Sequence, residues 1–265
     1  MLWFDSAMCS RRALAGVLLV VPALLLAGCG SGGSAGKAAH KTTTLRVYAA
    51  SSLTKTFQQI GDAFEKEHEG VEVEFVFGGS SDLVAQLQQG APGDVFASAD
   101  TANMDKLTGA SLGEGDPQNF ATNTLEIAVP PDNPARITSF ADLAKKGVQV
   151  DVCAPEVPCG AATVKMEAAT GITLKPVSQE QAVTDVLAKV GSGEADAGLV
   201  YVTDVKGAGD SVKGVPFPEA SKVVNTYPIV ALKSSKHAAL AKDLVDSVVG
   251  AEGQSVLQAA GFAKP

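Results

Sequence analysis

The sequence predicts an α/β protein built as two lobes, and three observations lead there. Short β-rich runs alternate with stretches of helical periodicity, the pattern of strands joined by crossover helices. Once an N-terminal leader is set aside, residues 44–265 remain for folding, enough for two lobes of about 100 residues each. Leu125–Val129 then opens a second series of strands and helices.

Leu45–Ala49 reads as the first strand, and after Ser51 and Ser52 a helix carries Leu53, Phe57, Ile60 and Phe64 at helical spacing as far as the turn at Gly70. Val71–Phe77 is a second strand, with Val71, Val73 and Phe75 on one face. Gly78, Gly79 and Ser80 lead into a helix through Leu83, Val84 and Leu87 that Gly90 stops. Asp94–Ser98 is a buried strand, and Asp100 caps a short helix over Ala102–Leu107. Beyond Leu125–Val129 come a helix at Phe140–Lys146, a strand at Val148–Val152 and a helix at Ala161–Ala169 ending at Gly171. Ser178 with Gln181 three residues later has the form of a capping box, predicting a helix from there to Val190. Ala197–Val202 and Tyr227–Leu232 are strands, and His237–Val248 and Gln254–Ala259 are closing helices.

The leader has Arg11 and Arg12, an apolar run from Ala13 to Leu26 broken by Pro22, and then Ala27, Gly28 and Cys29. This is a secretory signal peptide, since the run falls short of the roughly 20 apolar residues of a spanning helix. Leu26-Ala27-Gly28-Cys29 resembles the lipobox of bacterial lipoproteins, which implies cleavage after residue 28 and a lipid on Cys29. Residues 30–43 are mostly Gly, Ser, Ala, Lys and Thr, too polar and small for a core, so 29–43 is expected to be the lipidated cysteine and a flexible tether. The folded part would then sit at the outer face of the cell membrane, on the periplasmic side, touching the membrane through the lipid alone.

Residues 1–28 carry two arginines against Asp5, so their removal takes the formal net charge from −8 to −9. That acidity disfavours nucleic acid as a partner. Cys153 and Cys159 remain in an oxidising compartment, five residues between them, and read as a short-loop disulfide. A metal pair would need further ligands, and His40, His68 and His237 are not at ligand spacing. No cofactor and no metal-cation site is expected.

Two loops share a design in which a strand ends, hydroxyls follow and a helix starts at once: Ala49-Ala50-Ser51-Ser52-Leu53 and Phe77-Gly78-Gly79-Ser80-Ser81. A helix start has unpaired N–H groups and the positive end of the dipole, so a hydroxyl beside it helps hold an anion. The plainer alternative is that each serine caps its own helix.

Val47-Tyr48-Ala49-Ala50-Ser51-Ser52-Leu53 and the long run Gly90-Ala91-Pro92-Gly93-Asp94-Val95-Phe96-Ala97-Ser98-Ala99-Asp100 resemble the molybdate-binding ModA family. Val157-Pro158-Cys159-Gly160, Ala197-Gly198-Leu199-Val200-Tyr201 with Asp204, Tyr227-Pro228-Ile229-Val230 and Gly261-Phe262 extend the similarity in order to the C-terminus. The resemblance implies a type II periplasmic-binding-protein fold with mixed sheets and two interlobe crossovers, lobe I at 44–123 plus 228–265 and lobe II at 124–227. It implies a monomeric, non-enzymatic component of an ABC importer that binds molybdate or tungstate and passes it to a membrane permease. The contacts carried over are the hydroxyls of Ser52, Ser80 and Tyr201 and the main chain at Cys159 and Val183. Two positions depart from the pattern: Cys159 replaces a small residue, and Asp82 places a carboxylate beside the second serine pair, where it is expected to point away.

Other readings fare worse on the residues. A serine hydrolase using Ser52 or Ser80 needs a histidine base, and neither His68 nor His237 falls at a strand end. The same fold could take sulfate or another small solute. Ferric ion needs paired tyrosines, whereas Tyr48, Tyr201 and Tyr227 look scattered, and an amino acid needs an arginine, whereas Arg136 lies in a polar loop. The leader yields its own test: Cys29→Ala should move the protein from the membrane fraction to the soluble fraction, and its retention there would contradict lipidation.

Overall fold

The computed structural model describes residues 42–265. The expected signal peptide, Cys29 and most of the expected tether lie outside the described residues. In chain order the elements are β1 (Thr43–Ala50), α1 (Thr54–Glu67), β2 (Val71–Gly78), α2 (Ser80–Gln88), β3 (Val95–Ala97), α3 (Thr101–Gly109) and β4 (Gly113–Val129). There follow β5 (Val150–Cys153), α4 (Pro158–Thr170), β6 (Ser178–Glu180), α5 (Val183–Ser192), β7 (Ala197–Tyr201) and α6 (Val202–Ala208). The chain closes with β8 (Lys213–Val215), β9 (Val224–Leu232), α7 (Ala238–Val249) and α8 (Ala251–Ala260). Among the described residues no helix is long and apolar enough to cross a membrane.

Strands β2, β1 and β3 run parallel, β3 pairs antiparallel with β9, and β9 pairs antiparallel with β4. Beyond Thr124, β4 exchanges partners and pairs antiparallel with β7 and β8, while β7, β5 and β6 are parallel. The sheet is therefore mixed, and β4 and β9 are the two strands that cross between lobes.

Side-chain alternation explains how the first lobe buries both faces of its sheet. Val47, Ala49, Val95, Ala97, Ile229 and Ala231 meet α1, α7 and α8 through Phe57, Ile60, Phe64, Leu244 and Leu257. Their neighbours Tyr48, Phe96, Val230 and Leu232 point the opposite way and pack on Leu83, Leu87, Met104 and Leu107 of α2 and α3. A separate core in the second lobe gathers β4, β5 and β7 with α4 and α5, around Ile127, Val152, Met166, Val186 and Leu199.

Three local expectations are corrected. Strand β4 starts at Gly113, well before Leu125, because β9 supplies its ladder across a polar stretch; register shifts between Glu114 and Gln118 absorb Pro117. Ser178 opens no helix: Ser178–Glu180 pairs with Asp151–Cys153, and α5 begins at Val183 behind Ala182, whose side chain makes no cap. Phe140–Lys146 shortens to a 3-10 turn over Phe140–Ala144, capped reciprocally by Ser139 and Asp142, with the chain extended at Lys145. Asp100 caps α3 as expected, accepting from Asn103 N–H at 2.9 Å.

Asp151 of β5 is fully buried, with no hydrogen bond to either carboxylate oxygen. Lys189 stands 3.9 Å away and is already bound to Glu180. Desolvation, aided by the charge of Glu180 and opposed by Lys189, pushes the Asp151 carboxyl up to about 6. A carboxyl whose folded pKa is raised destabilises the fold as pH climbs from its ordinary value through the folded one, and the full cost persists above that. Asp151→Asn should therefore raise stability by about 1 to 3 kcal/mol at about pH 8, with the gain fading towards about pH 4.5. Thermal melts at the two pH values check this, and an equal gain at both would refute it.

Candidate functional site

Four chain segments bring their ends to one point between the lobes. The end of β1 turns through a 3-10 segment at Ser51–Leu53 into α1, and the end of β2 passes Gly78 and Gly79 into α2. From the second lobe, the loop after β5 enters α4 at Pro158, and the loop after β6 enters α5 at Val183. Each start leaves first-turn N–H groups without a helical partner, so four sets of donors and positive dipole ends face one another. Tyr201, the last residue of β7, completes the ring.

Ser52, Ser80, Cys159, Val183 and Tyr201 all line one cavity, together with Ala50, Ser51, Gly79 and Ala99. Its free volume is ≈ 10 Å³, about what one water molecule needs, so the opposed loops stand close together. Among the described residues, those lining it include no Lys, Arg, Asp or Glu. Asp82 is exposed and points away, as expected. A larger cleft of ≈ 420 Å³ adjoins it through Ser51 and Ser52. On its wall the Lys55 and Lys206 ammonium groups donate to the carbonyls of Gly207 and Ala259.

The hydroxyls at the small cavity are held by named partners. Ser80 Oγ, fully buried, accepts from Ala99 N–H at 3.0 Å, which leaves its own proton free to donate. Ser52 Oγ lies 3.1 Å from the Tyr227 hydroxyl. Tyr201 Oη accepts from the Asn225 amide at 3.0 Å. Burial raises the pKa of both Tyr201 and Tyr227, so both phenols remain protonated. Tyr201 and Tyr227 are not scattered, as the sequence suggested: their rings stand 6.0 Å apart, because the end of β7 and the crossing strand β9 meet here. Asp204 accepts the Tyr201 N–H at 2.9 Å, and burial pushes its carboxyl up to about 7, which reduces negative charge beside the cavity.

Cys153 and Cys159 form a disulfide with Cα atoms 5.6 Å apart, closing the loop that carries the Cys159 N–H. Gly160 allows that loop to fold tightly, since a Cβ there would lie 1.9 Å from the Ala154 carbonyl oxygen. His68 ends α1 and hydrogen-bonds Phe64 O, and His237 precedes α7; neither lines the cavity with the serines. Arg136 is exposed and away from it.

Asn225 and Ala99 had no place in the sequence reading as site residues. The available signal was the strand period: Val223, Asn225, Tyr227 and Ile229 share one buried face, and an asparagine on such a face needs partners.

A family model described as bacterial extracellular solute-binding protein matches residues 45–263. The chain is 52% identical over 252 residues to the molybdate-binding protein ModA of Mycobacterium tuberculosis, covering 93% of this chain and 97% of the relative. Among solved structures it is similar to the periplasmic molybdate-binding protein of Azotobacter vinelandii, at 24% identity and a TM-score of 0.72 over 83% of this chain and 99% of that one. It is also similar to the sulfate-binding protein SubI of Mycobacterium tuberculosis, at 19% identity and a TM-score of 0.71 over 84% and 87%. These two likenesses establish the two-lobed periplasmic-binding-protein fold, and their near-equal scores show that the fold alone does not choose the anion.

Gly79 reports on how tightly the lobes meet. A Cβ on it would lie 2.0 Å from the Gln181 carbonyl oxygen of the opposite lobe, a contact no rotamer relieves. Gly79→Ala should hold the cleft ajar while leaving each lobe folded. Solution scattering should then give a larger radius of gyration than wild type with unchanged circular dichroism, and an unaltered radius would count against this closure contact.

Proposed function

We propose, for a chain that belongs to the bacterial extracellular solute-binding protein family, that it captures molybdate, and tungstate nearly as well, outside the cytoplasm and delivers it to the permease of an ABC importer. The protein is a binding component and not an enzyme. The observation that carries the reading is the convergence of three hydroxyls and several helix-start N–H groups on one cavity with no charged side chain in its wall.

Neutral donors suffice for a doubly negative ion. Hydrogen bonds to a charged acceptor are roughly twice as strong as neutral ones, and in a cleft closed to water they act at contact distance. The acidic surface acts from further off, and salt screens it beyond about 8 Å. Ser52 and Ser80 supply hydroxyls from lobe I, taken as 44–123 plus 228–265. Cys159 and Val183 supply main-chain N–H groups, and Tyr201 its hydroxyl, from lobe II, taken as 124–227. Closure of the lobes on β4 and β9 brings the two sets together and expels water.

A donor-only wall also sorts anions. Phosphate near neutral pH keeps a proton, which would face other donors at a cost of about 1 to 3 kcal/mol. Molybdate, tungstate and sulfate carry no such proton. What favours molybdate over sulfate is the similarity to the mycobacterial molybdate-binding relative across nearly the whole chain. The protein works as a monomer, tethered by a lipid on Cys29 at the outer face of the membrane, with its bound anion presented to the permease.

Calorimetric titration of the stripped protein with molybdate, tungstate, sulfate and phosphate in parallel tests the assignment. Molybdate and tungstate should bind alike and far more tightly than the other two; sulfate binding as tightly as molybdate would overturn the metal-oxyanion reading. Ser80→Ala and Tyr201→Phe should each weaken molybdate by about 10- to 100-fold, the range for one hydrogen bond to a charged group.

A further inference from the structure

Asn225 lies on β9 near the point where the strands cross, and 7% of its surface is exposed. It pairs with Asn123 of β4 in the ladder. Its side-chain Nδ2 reaches three acceptors: Ala99 O at 2.9 Å, Tyr201 Oη at 3.0 Å and Pro158 O at 3.5 Å. Two of these are carbonyl oxygens, which only accept. The amide must therefore present its NH2 end to this cluster, whichever way the group is first drawn. Tyr201 Oη consequently accepts a hydrogen bond from Asn225, and its own O–H is directed elsewhere.

The main chain of one residue, Ala99, serves both lobes. Ala99 donates its N–H to Ser80 Oγ, and its carbonyl accepts a hydrogen bond from the Asn225 amide. Ser80 and Tyr201 are thus supplied on their acceptor sides by one connected set of donors. Each therefore keeps its own O–H to give, and both line the cavity.

We infer that Asn225 is a specificity-determining residue: by donating to the Tyr201 hydroxyl it makes that group a donor towards the anion, which closes the site to oxyanions that carry a proton. It acts through Tyr201 and Ala99 and does not itself line the cavity, so it is a positioning residue. The inference rests on the oxyanion reading above. Without Asn225 the Tyr201 hydroxyl could turn, accept the proton of hydrogen phosphate and admit it.

The test is a double-variant cycle on the intact protein, using Asn225→Leu, Tyr201→Phe and both together. Affinities for molybdate, sulfate and hydrogen phosphate are measured near neutral pH. Wild type should bind phosphate at least about tenfold more weakly than its preferred proton-free anion. Asn225→Leu should narrow that ratio by about fivefold or more, within the span that one unsatisfied donor allows. In the Tyr201→Phe background the same change should leave the ratio within about twofold. If Asn225→Leu weakens every anion equally, the residue only braces the lobes and the inference fails. It also fails if the ratio narrows as much without the Tyr201 hydroxyl. Should the leucine variant not fold, as judged by thermal melting, Asn225→Ala makes the same comparison without added bulk. A wild type that prefers sulfate to molybdate would end the molybdate assignment, while the sulfate-to-phosphate ratio would still decide the role of Asn225.

Discussion

The antiparallel pairing of β4 with β9 runs from Gly113 opposite Leu232 to Thr124 opposite Val224. Both strands continue from one lobe's core into the other's, so each lobe is hung on the same two segments of backbone. Two neighbouring strands resist twisting far less than two packed cores resist deforming. Relative motion of the lobes is thereby directed to the crossing, and the loops opposite it form the jaws. Asn123 and Asn225 face each other in this ladder, and Tyr227 follows two residues on. Asn225 and Tyr227, which hydrogen-bond the Tyr201 and Ser52 hydroxyls, therefore sit on a strand of this crossing.

A cavity walled by neutral donors imposes a second constraint, because a single helix start offers few of them. Four segments must arrive together, two from each lobe, and their approach leaves little space for side chains. Gly79 lies against the Gln181 carbonyl, and Gly160 against that of Ala154, at distances that exclude a Cβ. The Cys153–Cys159 bond closes the loop leading to one of these helix starts. These features restrict main-chain movement where main-chain N–H groups are the donors.

Legibility in the sequence followed the range of the interactions. The two strand-serine-helix loops could be read because the strand end, the hydroxyl and the helix start are contiguous at Ser51–Ser52 and Ser80–Ser81. Asp100 was readable as a cap for the same reason, its partner Asn103 being three residues away. The capping-box reading of Ser178 failed because pairing with β5, nearly thirty residues earlier in the chain, outweighed a local preference. The first half of β4 was obscured by its polar composition and Pro117, and becomes a strand only because β9 lies beside it.

By itself the sequence determined the α/β alternation, the lobes and the two serine loops, all of which depend on residues within a turn or a few turns of one another. The tertiary structure alone decided which donors the cavity hydroxyls accept from. Ser80 accepts a hydrogen bond from Ala99, nineteen residues on, and Tyr201 accepts one from Asn225, twenty-four residues on. A hydroxyl is both donor and acceptor until its neighbours are in place, and those neighbours are set by the crossing of β4 and β9.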